Sequence, residues 1–123
     1  MSSAIRSARS SRARRLVSKF AEPELLEFVS GLLLANGVPH FVQGVSGHRF
    51  QSPFATPRGV GESSALINAL WGFANLVAGF ILLWSFGPHG FEAPVGWIVV
   101  GLGVLVAAVG LSIHFGKVRS ETS

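Results

Sequence analysis

The sequence predicts an all-α membrane protein folded as a three-helix transmembrane bundle, and three observations predict it. Hydrophobic residues make up 49% of the 123-residue chain against 13% charged, with a mean hydropathy of +0.50, too apolar for a soluble domain of this length. Ser64 to Phe86 reads SALINALWGFANLVAGFILLWSF without a charge; at about 1.5 Å rise per residue it reaches across the roughly 30 Å hydrocarbon core of a bilayer. Two further apolar stretches, 24–45 and 93–115, lie on either side of it. So short a chain makes one domain: a helical membrane domain over 23–116, between a basic tail at 1–22 and a polar tail at 117–123.

The N-terminal 22 residues are rich in Ser, Ala and Arg and hold six of the ten basic residues: Arg6, Arg9, Arg12, Arg14, Arg15 and Lys19. Few apolar groups and high charge predict a solvated, disordered tail. Its charge orients the chain with the N-terminus in the cytoplasm and attracts anionic lipid headgroups. A pI near 11.2 also suits nucleic acid, but the basic cluster flanks apolar segments and no zinc finger, RNA-stacking motif or recognition helix follows. No nucleic-acid partner is expected. An Arg- and Ser-rich start also fits an organelle transit peptide. A signal peptide, twin-arginine type included, fits poorly because Glu22, Glu24 and Glu27 interrupt its apolar region.

Pro23 and Glu24 mark a helix start, with proline at the first helical position and an acid in the first turn. The stretch 24–45 is long enough to span, yet it carries polar groups that need partners in lipid. Glu24 and Glu27 suit the headgroup zone. Asn36, His40 and Gln43 fall at i, i+4 and i+7 and gather on one face. Pro39 is expected to kink the helix.

Residues 46–63 form a loop punctuated by Gly47, Pro53, Pro57, Gly59 and Gly61. Phe50 and Phe54 alternate with His48, Arg49 and Arg58, which reads either as a segment in the membrane interface or as an ordinary connector. Ser63 or Ser64 caps the next helix.

In the central helix, 65–86, Asn68, Gly72, Asn75 and Gly79 share one narrow stripe, opposite Leu66, Leu70, Phe73, Val77, Phe80, Ile81 and Trp84. Small and amide residues are how a membrane helix holds a neighbour. The break at Gly87-Pro88-His89-Gly90 leads to the last helix, 93–115, as an antiparallel hairpin, with His89 expected to face solvent. Gly96, Gly103, Ala107, Gly110 and His114 line up there as a second packing stripe, opposite Ile98, Leu102, Leu105 and Val109.

Two topologies fit. Three spans put six basic residues inside and Arg49, Arg58, Lys117 and Arg119 outside. A two-span hairpin with an interfacial first helix puts all ten inside, which charge alone prefers. The length and regular polar stripe of 24–45 favour three spans. The register then sets Asn36 level with Asn75, and His40 and Gln43 level with Asn68, so Asn36, His40, Gln43, Asn68 and Asn75 form one interhelical seam.

The candidate ligand end comprises His40, His48, Arg49 and His114. Two imidazoles on neighbouring helices are a possible haem or metal pair, but no signature spacing or carboxylate support accompanies them, and no metal or other cofactor is expected. Without cysteine, thiol and iron–sulfur chemistry are excluded. No carboxylate pair at depth, catalytic set or phosphate loop is visible, so the reading is non-enzymatic.

From Leu32 to Phe80, the residues Asn36, Pro39-His40, Gly44, Pro53-Phe54-Ala55, Asn68, Trp71-Gly72 and Asn75 resemble a pattern in small uncharacterised bacterial multi-pass membrane proteins. The resemblance implies a bacterial inner (cytoplasmic) membrane and includes the first helix in the membrane module; it brings no activity, cofactor or partner. The expected function is that of an accessory or packing subunit, or a homo-oligomer. A haem, metal or small-ligand protein using His40 and His114 is the second reading, and an oligomeric pore lined by Asn36, Asn68 and Asn75 the third.

Overall fold

A computed structural model describes residues 2–20, 23–88 and 94–122, without the side chains of 13, 14, 16–20 and 122. The chain is mostly helical: α1 (Ser3–Phe20), α2 (Pro23–Val45), α3 (Ala65–Phe86) and α4 (Pro94–Thr122), with a two-residue strand pair, β1 (Phe50–Gln51) and β2 (Glu62–Ser63), between α2 and α3. The last three helices are each long and apolar enough to cross a membrane. Residues 89–93 lie outside the described residues, so the expected turn conformation and the solvent-facing His89 do too.

The tail read as disordered is helical over Ser3–Phe20. It holds no Gly or Pro, and Ala and Arg are strong helix formers, so local propensity supplies what burial does not. Ser2 caps it, its Oγ accepting from the Ile5 N–H at 3.4 Å. At the other end, α4 runs on past residue 115 through the expected polar tail to Thr122.

α2, not α3, is the axis. It packs along α3 and along α4, while among the described residues α3 and α4 have no substantial interface with one another. The expected side-by-side hairpin of the last two helices is therefore corrected. The reason lies in α2's glycines, which point to both partners. A Cβ on Gly31 would collide with the Val100 carbonyl oxygen of α4. A Cβ on Gly37 would lie 2.9 Å from the Gly72 carbonyl oxygen, and one on Gly44 would run into the Ala69 backbone. Such close approach maximises dispersion contact where lipid gives no hydrophobic drive between helices. Pairing Gly37 with Gly72 and Gly44 with Ala69 makes α2 and α3 antiparallel; Glu27 beside Gly96 and Gly31 beside Val100 make α2 and α4 parallel.

α2 continues unbroken through Pro39. It ends in a Schellman motif: Gly47 takes φ +80°, the His48 N–H donates to the Gln43 carbonyl at 2.9 Å and the Gly47 N–H to that of Gly44 at 3.0 Å. Ser64 is the cap of α3, its Oγ accepting from the Ile67 N–H at 3.2 Å. The outward faces are apolar, with Leu66, Leu70, Phe73, Phe80, Ile81 and Trp84 exposed on α3 and Ile98, Leu102, Leu105 and Val109 on α4. Glu27, in the second turn of α2, is buried against Gly96.

Candidate functional site

The polar residues of α2 and α3 meet in two pairs. Asn36 Nδ2 donates to Asn75 Oδ1 at 3.0 Å, and Asn75 Nδ2 donates to the Trp71 carbonyl at 2.8 Å. One level nearer the loop, His40 Nδ1 lies 2.9 Å from Asn68 Oδ1. Gln43 does not join them: its Oε1 lies 3.0 Å from His48 Nδ1, beyond the end of its own helix. The side chain of residue 43 thus follows the chain into the loop rather than crossing to α3.

Asn68 is the fully buried hub. Its Nδ2 reaches the carbonyls of Phe50 (3.0 Å), Ser63 (3.2 Å) and Ser64 (3.1 Å). Those acceptors fix the amide's orientation, so Oδ1 must face His40 and His40 Nδ1 must carry the proton it donates. In its neutral form this imidazole keeps the Nε2 lone pair to accept. One amide thereby ties the loop to both helices.

The loop folds over the end of the bundle. β1 and β2 pair antiparallel, Phe50 with Ser63 and Gln51 with Glu62. The hydroxyls of Ser52 and Ser63 share a hydrogen bond, and the Gly59 N–H donates to the Ser52 carbonyl at 2.9 Å. Phe50 is buried at 3% exposure while Phe54 is 61% exposed, so the two rings expected to act alike part company. Phe50 packs on Phe115 of α4 (centroids 4.8 Å) and edge-on to His40 (5.4 Å), under the Arg119 guanidinium at 5.0 Å. Phe54 meets Trp71 edge to face at 5.1 Å.

His40 and His114 do come to this end. Each is tied separately: His114 Nε2 donates to the Gly59 carbonyl at 2.7 Å. Arg49 donates to the Glu62 carbonyl at 3.1 Å, and His48 stays exposed with Gln43. Among the described residues no three His, Asp or Glu side chains gather to hold a metal, and a bound zinc needs three or four protein ligands.

Between α2, α3, α4 and the loop lies a cavity of about 250 Å³, lined by Asn36, His40, Gln51, Ser52, Trp71, Leu111, His114 and Phe115 among others. Three buried side-chain polar atoms lack a hydrogen-bond partner among the described residues: Glu27 Oε2, Gln51 Oε1 and Trp71 Nε1. The last two belong to residues of this cavity. Sequence reasoning did not single out Gln51, and it named Trp71 only within the resemblance. Gln51 sits in the loop, and for Trp71 its neighbourhood to the Asn68–Gly72–Asn75 stripe is the one signal that it turns partly inward.

The small-residue stripes divide. Gly72 lies against the Phe41 backbone, Gly79 against Leu34, Gly96 against Pro88 and Glu27, and Gly103 against the Phe28 carbonyl. Ala107 is half-buried. Gly110, expected to pack, faces open space. No protein-family model, curated protein or solved structure matches this chain.

Proposed function

We propose that this chain is a non-enzymatic, three-span integral membrane protein that binds a small molecule in the loop-capped cavity between α2, α3 and α4. The observation that carries the binding reading is the cavity itself, about 250 Å³ walled by three helices and the loop. The spanning reading is supported by the course of α2, which runs along both other helices rather than across their ends. It is supported too by Trp84 and Trp97, exposed near the same end of the bundle as an aromatic belt. The six basic residues before residue 20 favour a cytoplasmic N-terminus in a bacterial inner membrane, with α1 on anionic headgroups.

Native mass spectrometry of the protein released from nanodiscs tests the binding. The wild type is expected to carry an added small mass, and Leu111→Trp, which fills the cavity, to lose it. Equal spectra for the two proteins sink the reading. A second reading, the accessory subunit or homo-oligomer, is favoured by α4, where Gly101, Gly110 and Gly116 have open space at the Cβ position. A pore is disfavoured because Asn36, Asn68 and Asn75 are spent on partners within the chain.

A further inference from the structure

We infer that the cavity takes one acyl chain of a bilayer lipid, which enters along the flank of α3 beside Trp71. This rests on the binding reading above and names the ligand class. The first argument is what the cavity offers an occupant. Polar groups on its wall are engaged elsewhere: Asn36 with Asn75, His40 Nδ1 with Asn68, the Ser52 hydroxyl with that of Ser63, and His114 Nε2 with the Gly59 carbonyl. Gln51 Oε1 and Trp71 Nε1 are covered by neighbouring atoms. The surface left facing the cavity is almost wholly apolar, with Leu111, Phe115 and Trp71 among its walls. Water needs roughly two to four polar partners to occupy such a space, whereas apolar cavities stay dry and take hydrocarbon.

The second argument is size. A dry cavity of about 150 Å³ holds benzene, and this one has about 250 Å³. That takes a short run of methylene groups. It is below the roughly 300–1,000 Å³ that encloses a whole drug-sized ligand, so a longer occupant continues outside it.

The third argument is what lies next door. Trp71 is also a wall of an open apolar recess of about 420 Å³ formed with Phe54, Ile67, Leu70 and Ala74. Ile67, Leu70 and Ala74 are exposed on the outer face of α3, so in the three-span topology this recess opens towards the bilayer's own chains. A cavity too small for a whole ligand and a lipid-facing recess thus share one indole. A flexible hydrocarbon chain suits both, lying in the recess with one stretch turned in past Trp71. An empty void forfeits dispersion contacts, and the chain restores them.

Photolabelling in nanodiscs tests it, with a phosphatidylcholine that carries a diazirine midway along one acyl chain. Label is expected on Leu111 and Phe115, the half-buried α4 walls of the cavity, and on Phe80 of the exposed α3 face. Leu111→Trp puts an indole into the cavity and is expected to cut labelling of Phe115 about tenfold, because close packing leaves the chain no room. Ala74→Phe, at an exposed position in the recess, is expected to cut it about threefold by obstructing entry. Unchanged label on Phe80 checks that each variant is folded and inserted. Equal labelling of Phe115 in all three proteins overturns the inference, as does an unlabelled Phe115 in the wild type. Native mass spectra separate this from the binding reading. An added mass equal to that of the nanodisc lipid is expected. A different added mass, lost in Leu111→Trp, overturns the acyl assignment while the binding reading stands. No added mass together with no label at Phe115 overturns both.

Discussion

The two interfaces that α2 makes are specified differently. Against α3 it places two hydrogen-bonded pairs, Asn36–Asn75 and His40–Asn68, between glycines that bring the backbones together. Against α4 the specification is shape: Gly31 and Gly103 interlock with backbone atoms of the opposite helix. Polar pairs fix register, because sliding by one residue leaves each group unsatisfied in a place without water. Interlocked glycines fix distance and tolerate no side chain. The chain therefore locks its helix order through chemistry on one side and through sterics on the other.

Four experiments break or sharpen that contrast. The largest effect is expected from Gly31→Leu, which forces a side chain into the Val100 carbonyl and the Val104 amide. Overpacking of this kind costs about 3 kcal/mol, read as a lower midpoint for unfolding in detergent. An unchanged midpoint means that α4 does not rest on Gly31. Asn68→Leu comes next. It strands the His40 Nδ1–H and loosens three carbonyls, at about 2 kcal/mol. Because those carbonyls hold the loop, trypsin is expected to cut at Arg49 and Arg58 faster than in the wild type, while α2–α4 packing persists. Loss of both together would show that the two interfaces are not separable.

A smaller term is expected from the Asn36–Asn75 pair. A double-mutant cycle with Asn36→Leu and Asn75→Leu should give a coupling of about 0.6 kcal/mol, the average for hydrogen bonds between membrane helices. A value near zero removes the pair's claim to set register. The smallest effect belongs to Gly110→Leu, where the added side chain meets open space. It is expected to leave the monomer within about 0.5 kcal/mol of wild type. If the same variant abolishes a higher-order species on sizing columns, the α4 face is where copies or partners join.

The local parts of this fold were legible in the sequence, and their arrangement was less so. Periodicity and charge gave three apolar helices close to their observed bounds, since burial in lipid demands long uncharged runs. The polar stripe of α3 was readable because Asn68, Gly72, Asn75 and Gly79 stand out against leucine. The glycines of α2 were harder to see. Gly31, Gly37 and Gly44 do not line one face; they serve two partners, so no single stripe advertises them. That is why α3 reads as the organising helix while α2 holds the position. The candidate site was half visible. His40 and His114 mark the right end, but the cavity depends on the loop folding back, and the tie responsible is a set of backbone carbonyls, which carry no sequence signature. α1 shows the converse: its helix follows from Ala and Arg propensity, against a composition that reads as disordered.

The position of α2 has a consequence in time. It leaves the ribosome first among the apolar helices, bearing Asn36 and His40, and both of their partners lie on α3. Until Asn68 and Asn75 have been translated, α2 has polar groups that the acyl region cannot answer. In the three-span topology proposed above, its stable residence in the bilayer is therefore expected to wait for α3, the two entering as a unit. α4, held by a glycine contact, can dock afterwards onto a finished surface. The helix at the centre of the mature protein is thus the one least able to insert alone.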